Sequence, residues 1–228
     1  MPLAKLQPLE DCCTSFKLTV ESDVKSLMTL YDAESAKPGP SATWVQPLLR
    51  SSCVLLVADF ENFIEGLFCA AFADLASRNV VADKYPKGFR HWLFRKEVHM
   101  RSIGADDVKD YIELSQRLFN PVRALTLDEL SLEDLKEKFD NPTPVNINWM
   151  AGLFDVENYV DGITVRVMDQ PTLAKSAIGE LAERRNAIAH GDSTQQPKDA
   201  DIKRLTKFCV LFANQITKDV NKWTQQCL

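Results

Sequence analysis

The stretch from Gly179 to Asp192, which reads GELAERRNAIAHGD, organises the chain because it joins a helix end to reactive side chains. Gly191 directly follows His190, and a glycine just past a helix readily takes the left-handed conformation that ends it. We therefore predict that Arg185 and His190 lie in the last turns of a helix, where uncapped carbonyls favour positive charge.

Within this stretch, Arg185, Asn186 and His190 form the pattern R-N-x-x-x-H. At helical spacing, Glu183, Asn186 and His190 share one row of side chains. Arg185 lies roughly 140° around the helix from His190 and about 7.5 Å along its axis. The arginine and the histidine can therefore flank one groove, but they cannot stack on each other.

These residue types suit RNA cleavage without a metal. A histidine can accept a proton from a 2′-hydroxyl near neutral pH, and an arginine can stabilise the charge that builds on the attacked phosphate. An asparagine offers a neutral donor and acceptor that can orient a hydroxyl or a phosphate oxygen. The alternative is structural, because a lone histidine at a helix C-terminus also serves as a charged cap.

The combination of two motifs resembles the HEPN superfamily. Its R-x4–6-H signature is matched by Arg185 and His190, including the favoured asparagine and the trailing glycine. The long first core helix of the RiboL-PSP-like and MAE-type HEPN groups is similar to an upstream stretch, which reads Leu48-Leu49-Arg50-Ser51-Ser52, an apolar run through Val57, and Asp59-Phe60-Glu61-Asn62-Phe63-Ile64. Between residues 84 and 165, only the segment from Pro144 to Asp155 is similar to the group.

This resemblance implies an all-α, HEPN-type helical bundle with a long second helix and a helical insertion before the two C-terminal helices. We expect one domain over residues 1–228, with the core at 10–78 and 171–224 and the insertion at about 84–165. Proteins of this kind are commonly dimeric. Many are metal-independent ribonucleases of toxin–antitoxin and antiphage systems, and others only bind.

Composition excludes several other classes of protein. The chain of 228 residues is 45% apolar and 26% charged, as in ordinary soluble domains, and its few glycines and lack of strongly alternating segments favour an all-α fold. A net charge of −5 argues against a broadly basic nucleic-acid coat. We expect no membrane span, because the most apolar run, Cys53 to Ala58, is followed by the charges of Asp59 and Glu61. We also expect a cytoplasmic location, no cofactor and no metal site, since the six cysteines form no C-x-x-C pair and the histidines do not cluster with them.

Apolar periodicity predicts a first helix over residues 11–35 and a second, the longest, over about 41–77, capped by Ser41 or Thr43. The middle of the second helix is apolar on nearly every side, so Arg50, Asp59, Glu61 and Glu65 need an explanation. Glu61 either pairs with Arg185 and orients its guanidinium, or lies with Glu65 on a solvated stripe. Glu61 and Glu183 are the candidate supporting residues.

The segment from Lys84 to Arg101 carries a formal charge of +5 and interleaves aromatic residues with its cations. It is either a single-stranded RNA surface or an interhelical segment whose rings fill the core. The other candidate cations flank the motif or lie in the last helix, whose apolar stripe runs from Ile202 to Trp223. The candidate RNA contacts are Lys87, Arg90, Arg95, Lys96, Arg184, Lys203 and Arg204.

Shorter helices are predicted between residues 105 and 162. Val108, Tyr111, Ile112 and Leu118 mark the first of them, and Leu132, Leu135 and Phe139 after Ser131 mark the second. Thr143 as N-cap with Pro144 at the first helical position marks the third. The helix that carries the motif is predicted over about Thr172–His190. Trp149 is interpreted as a core residue in preference to a base-stacking platform.

Together these features predict an endoribonuclease in which His190 is the acid/base, Arg185 the phosphate clamp and Asn186 the orienting group. We expect RNA as substrate, a homodimer that shares one cleft, and a cognate antitoxin or defence-system protein as partner. The alternatives are an inactive module that binds RNA or a partner protein, and a structural dimerisation subunit.

Overall fold

The computed structural model describes residues 6–38, 45–101, 107–192, 194 and 196–228. The chain is mostly helical, as predicted, and its buried apolar residues form one continuous core. The α-helices are α1 (Gln7–Ser22), α2 (Val24–Ser35), α3 (Val45–Ser77), α4 (Lys87–Met100), α5 (Val108–Leu118), α6 (Leu132–Lys138), α7 (Pro144–Gly152), α8 (Ala174–Ala189) and α9 (Asp199–Gln225). Short 3₁₀ segments lie at Ala82–Lys84, Leu127–Leu130 and Tyr159–Asp161.

Helix α3, with 33 residues, is the central element of the fold. Helices α1, α2, α6, α8 and α9 all pack against it. Its phenylalanines anchor these contacts, since the ring of Phe63 lies 4.9 Å from that of Phe16 and the ring of Phe60 lies 5.9 Å from that of Phe212. The long helix is confirmed, whereas its predicted cap, Ser41 or Thr43, falls outside the described residues.

The predicted first helix is divided into two. Asp23 separates α1 from α2, and the hydroxyl of Ser22 donates to its carboxylate over 2.7 Å. The N–H of Asp23 still donates to Thr19 O over 2.8 Å, so the backbone continues from one helix into the next with only a local irregularity. The break allows both helices to follow the surface of α3.

A two-stranded hairpin, which was not predicted, precedes the motif helix. Strands β1 (Thr164–Val167) and β2 (Gln170–Leu173) pair in antiparallel register, with Val167 opposite Gln170. The connecting residues Met168 and Asp169 both have positive φ, as a two-residue turn of type I′ requires. Consequently α8 begins at Ala174 and not at Thr172.

The predicted insertion packs into the common core. The ring of Phe89 in α4 lies 3.9 Å from that of Phe72 in α3, and the ring of Phe154 lies 4.7 Å from the same ring. The start of α7 is confirmed, because the Thr143 hydroxyl accepts from the N–H of Asn146 over 3.2 Å.

The predicted helix α5 is confirmed, but two of the residues that were expected on its buried apolar face are exposed. Val108 and Ile112 are exposed, and the buried residues are Leu114 and Leu118. In α9 the predicted apolar stripe is buried from Ile202 to Val220. None of the helices in the described ranges combines the length and apolarity that a membrane crossing requires.

Candidate active site

The end of α8 has the geometry that the glycine predicted. Gly191 adopts φ +79°, its N–H donates to Ile188 O over 3.1 Å, and the N–H of Asp192 donates to Ala187 O over 2.9 Å. These two bonds form a Schellman motif, which closes a helix and satisfies its last carbonyls. His190 occupies the C-cap position with an exposed side chain. Its imidazole is therefore accessible to a substrate.

Helix α3 holds the chain directly after the histidine. Arg50 donates through Nη1 to the backbone carbonyl of Asp192 over 2.7 Å. This contact joins the upstream motif that contains Arg50 to the R-N-x-x-x-H motif. It also gives this half-buried arginine a role, which the sequence left open.

A second set of contacts positions the arginine of the motif. Nη1 of Arg185 donates to Oδ1 of Asn186 over 3.2 Å, and Nδ2 of Asn141 donates to the same oxygen over 3.3 Å. Because a guanidinium can only donate, this contact defines which end of the Asn186 amide is its oxygen. Asn186 therefore accepts from two donors, and its NH₂ group is left for a ligand.

Asn141 is a site residue that the sequence did not reveal. It lies in the loop before α7, and its own Oδ1 is buried without a hydrogen-bond partner among the described residues. A buried unsatisfied acceptor is costly, so this oxygen reduces the stability that the contact with Asn186 contributes. The only local signal was the Asp140-Asn141-Pro142 sequence, which indicates a break between helices and nothing about the motif.

Glu61 shares the neighbourhood of Arg185. Burial raises the pKa of Glu61, the positive charge of Arg185 opposes that rise, and the carboxylates of Glu65 and Asp140 add to it. Among the described residues, no carboxylate oxygen lies within 4 Å of the Arg185 guanidinium. Glu61 thus acts on Arg185 through its field and leaves the guanidinium free to take a phosphate.

The second supporting candidate, Glu183, is exposed on α8. The structure gives it no hydrogen bond or ion pair within the described ranges. It lies three residues before Asn186 on the same helix, as the periodicity predicted, but its side chain forms no hydrogen bond or ion pair with the motif side chains.

Several cations that the sequence proposed as RNA contacts are already neutralised by carboxylates. Arg90 is the clearest correction, because it is only 6% exposed and stacks on the Phe119 ring, 5.0 Å from its centroid. The ion pairs are Arg90–Asp83 (2.9 Å), Lys96–Asp134 (2.5 Å), Arg184–Glu180 (3.0 Å), Lys203–Asp199 (2.9 Å) and Arg204–Glu180 (2.7 Å). Arg184–Glu180 and Lys203–Asp199 lie within single helices, whereas the other three pairs join separate segments, and a phosphate would have to compete with a carboxylate at each cation.

Two of the proposed contacts are both exposed and without a carboxylate partner among the described residues. Lys87 and Arg95 lie on α4, and the structure gives neither side chain a carboxylate partner within the described ranges. The aromatic residues of this segment are divided, since Tyr85 and Phe89 are fully buried whereas Trp92 is half-buried. The segment is therefore largely a structural helix with one exposed cationic edge.

Metal ligands are not grouped in the part of the chain that the structure describes, where no three His, Cys, Asp or Glu residues could hold an ion. All six cysteines are free thiols, and only Cys12 is partly exposed. The groups at the end of α8 are thus an imidazole, a guanidinium and two amides. Such a set can bind a phosphate and move a proton.

Comparison with known proteins is consistent with this geometry. A search of curated proteins and a search of solved structures gave no match. The family model described as RiboL-PSP-HEPN matches residues 19–222, a range that includes both motifs, the hairpin and the intervening helices. The chain therefore belongs to the RiboL-PSP-HEPN family.

Proposed function

We propose that this protein is a metal-independent endoribonuclease, a toxin or antiphage effector that cleaves RNA by attack of a 2′-hydroxyl. The observation that carries the proposal is the guanidinium of Arg185. It is held by Asn186, lies five residues before the exposed His190 in the chain, and is not paired with a carboxylate among the described residues. HEPN domains commonly cleave or bind RNA, which supports the same assignment.

In this mechanism the imidazole of His190 accepts the proton of the 2′-hydroxyl as its oxygen attacks the adjacent phosphorus. Arg185 stabilises the charge on the phosphorane through charge-assisted hydrogen bonds, and the NH₂ group of Asn186 donates to a phosphate oxygen. The bond to the 5′-oxygen then breaks, and that oxygen takes up a proton. The products are a 2′,3′-cyclic phosphate and a 5′-hydroxyl end.

A two-fold dimer would supply the second proton carrier. One His190 cannot be base and acid in the same step, whereas a second copy facing the first adds an imidazole and another Arg185. A groove of about 470 Å³ beside the motif supports such an interface, since it is lined by Pro47, Val54, Leu55 and Ile188 together with Arg50 and Ser51. The carboxylate of Glu61 would offset part of the positive charge in the empty cleft.

The decisive experiment incubates the purified protein with mixed RNA in EDTA, beside His190→Ala and a DNA substrate. We expect cleavage in EDTA, cyclic phosphate ends, intact DNA and no cleavage by His190→Ala. Arg185→Lys should also fail, because an ammonium does not reproduce the bidentate grip on a phosphate. Cleavage that disappears in EDTA, or equal cutting of DNA, contradicts the mechanism.

The dimer is tested separately by light scattering over a dilution series. We expect the activity per chain to fall where the mass falls to that of a monomer. A stable monomer that cleaves RNA at a rate strictly proportional to enzyme concentration refutes the shared cleft and leaves the chemistry to a single chain.

A further inference from the structure

Helices α4 and α7 are joined tightly at one end. The N–H of Phe89 donates to Leu153 O over 3.0 Å, and the carboxylate of Asp155 accepts from the N–H groups of Lys87 and Gly88 over 2.9 and 2.7 Å. A methyl group on Gly88 would lie 2.0 Å from the carbonyl oxygen of Gly152, so the backbones are in direct contact here.

Beyond this contact the two helices border a groove of about 620 Å³. The side chains that give it its character are His91, Trp92, Phe94, Arg95, Trp149 and Leu153. Trp92 from α4 and Trp149 from α7 each pack partly against the core and are half-buried. The groove thus has an indole from each of its two helices.

The charge at the groove is positive and uncompensated. Arg95 and His91 are exposed, and no carboxylate lies within 4 Å of Arg95 among the described residues. Two other cations of α4 are paired, Arg90 with Asp83 and Lys96 with Asp134, and Arg101, directly after the helix, pairs with Glu97. Arg95 therefore differs from these cations in being directed at a groove and not at a carboxylate.

We propose that this groove binds an unpaired base of single-stranded RNA, which stacks on Trp149 or Trp92 while Arg95 contacts its phosphate. The inference rests on the proposed function, because it gives the substrate a second contact away from the cleaved bond. Stacking on aromatic rings and a nearby arginine are the two elements by which proteins hold single strands. Bases of a duplex are paired and stacked, so they cannot enter the groove.

The position of α7 places this groove within reach of the candidate active site. The helix begins three residues after Asn141, which bonds to Asn186 of the motif, and its nine residues span about 14 Å. A strand of a few nucleotides covers that distance. The overall charge of −5 makes such a local contact more important, because the protein surface as a whole repels RNA.

The test measures binding of a short fluorescein-labelled oligoribonucleotide by fluorescence anisotropy, with all variants made in the His190→Ala protein so that no RNA is cut. We expect Arg95→Glu and Trp149→Ala each to weaken binding about tenfold or more, and Trp149→Phe to retain most of it. Arg101→Glu is the charge control, since it makes the same charge change one residue past the end of the same helix and outside the groove.

Two further RNA probes separate bases from backbone. An oligonucleotide with abasic positions and a duplex of the same sequence should both bind weakly, and neither should respond to Trp149→Ala. If Arg95→Glu weakens binding no more than Arg101→Glu and Trp149→Phe binds no better than Trp149→Ala, the assignment to RNA is overturned. Cleavage by the wild-type protein distinguishes the two proposals. If the groove variants weaken binding but the wild-type protein does not cleave RNA, the proposed nuclease is refuted and RNA binding in the groove stands. If the groove variants bind RNA normally and the wild-type protein cleaves RNA, RNA binding in the groove is refuted and the proposed nuclease stands.

Discussion

The side-chain amide of Asn141 donates to Oδ1 of Asn186 over 3.3 Å, although 45 residues separate the two in the chain. Asn186 accepts at the same oxygen from Arg185. The loop before α7 is therefore part of the structure that positions the motif arginine, and the predicted insertion contributes a residue to the candidate active site.

Asn141→Ala should lower kcat/KM for RNA about tenfold or more, because Asn186 loses one of its two donors and the guanidinium of Arg185 is less well placed. Asn141→Asp should be equally impaired, since a carboxylate cannot donate to Asn186. Both are measured by initial rates with circular dichroism as a check on folding. Asn148→Ala is the control, because it removes a hydrogen bond of the adjoining helix α7, in which Asn148 Oδ1 accepts from the N–H of Val160, without touching the motif. Full activity of Asn141→Ala would show that this contact has no role in the reaction.

Gly191→Ala should lower the free energy of unfolding by about 1 kcal/mol, because a side chain at φ +79° is strained even where nothing crowds it. Gly191→Asn should cost less, since asparagine tolerates the left-handed conformation. Gly179→Ala in the interior of α8 should have the opposite sign and stabilise the protein by about 0.5–1 kcal/mol. Urea unfolding measures all three. Equal stabilities of the alanine and asparagine variants at position 191 would contradict the backbone explanation.

Gly88→Ala should destabilise the protein by about 2–3 kcal/mol, because the new methyl group would meet the Gly152 carbonyl oxygen at 2.0 Å and the helices would have to separate. Gly152→Ala is a matched control from the other side of the same contact, where an added methyl group meets nothing within 4 Å. We expect its melting temperature to stay close to that of the wild type. A stable Gly88→Ala protein would mean that α4 and α7 are not in backbone contact.

Asp59→Asn should stabilise the protein at pH 8 and not at pH 5. Burial, aided by the carboxylate of Asp23, raises the pKa of Asp59 to about 6, and its Oδ2 has no partner within the described residues. The native protein then binds more protons than the unfolded chain between about pH 4 and 6, so wild-type stability rises as the pH falls through this range. The advantage of the variant at pH 8 should be about 1 kcal/mol, because Asp59 is only partly buried. Asp11→Asn, which removes an exposed carboxylate from a groove that Asp59 also lines, is the control for the loss of one surface charge. A constant difference between Asp59→Asn and the wild type across this range would contradict the assignment.

Local chemistry determined those features that depend on residues a few positions apart. Thr143 and Pro144 begin α7, Gly191 ends α8, and the regular apolar stripe of α9 is buried, because capping and helical periodicity act over one or two turns. The hairpin was missed because its turn residues, Met168 and Asp169, adopt positive φ without glycine or asparagine. The signal available for β1 was the short alternation of polar and apolar residues in Thr164–Val167, and the two apolar residues, Val165 and Val167, are the buried ones.

The sequence by itself also determined the family, because the two motifs and their order along the chain are recognisable whatever structure the segments between them adopt. Only the tertiary structure decided which charges are available. Arg90 and Arg95 are indistinguishable by type and lie on one helix, yet one is buried against Asp83 and Phe119 and the other faces an open groove. Asn141 reaches Asn186 only after α7 and α8 pack. The partners of a polar side chain come from segments distant in the chain, and the free energy of burying it depends on those partners, which no local pattern records.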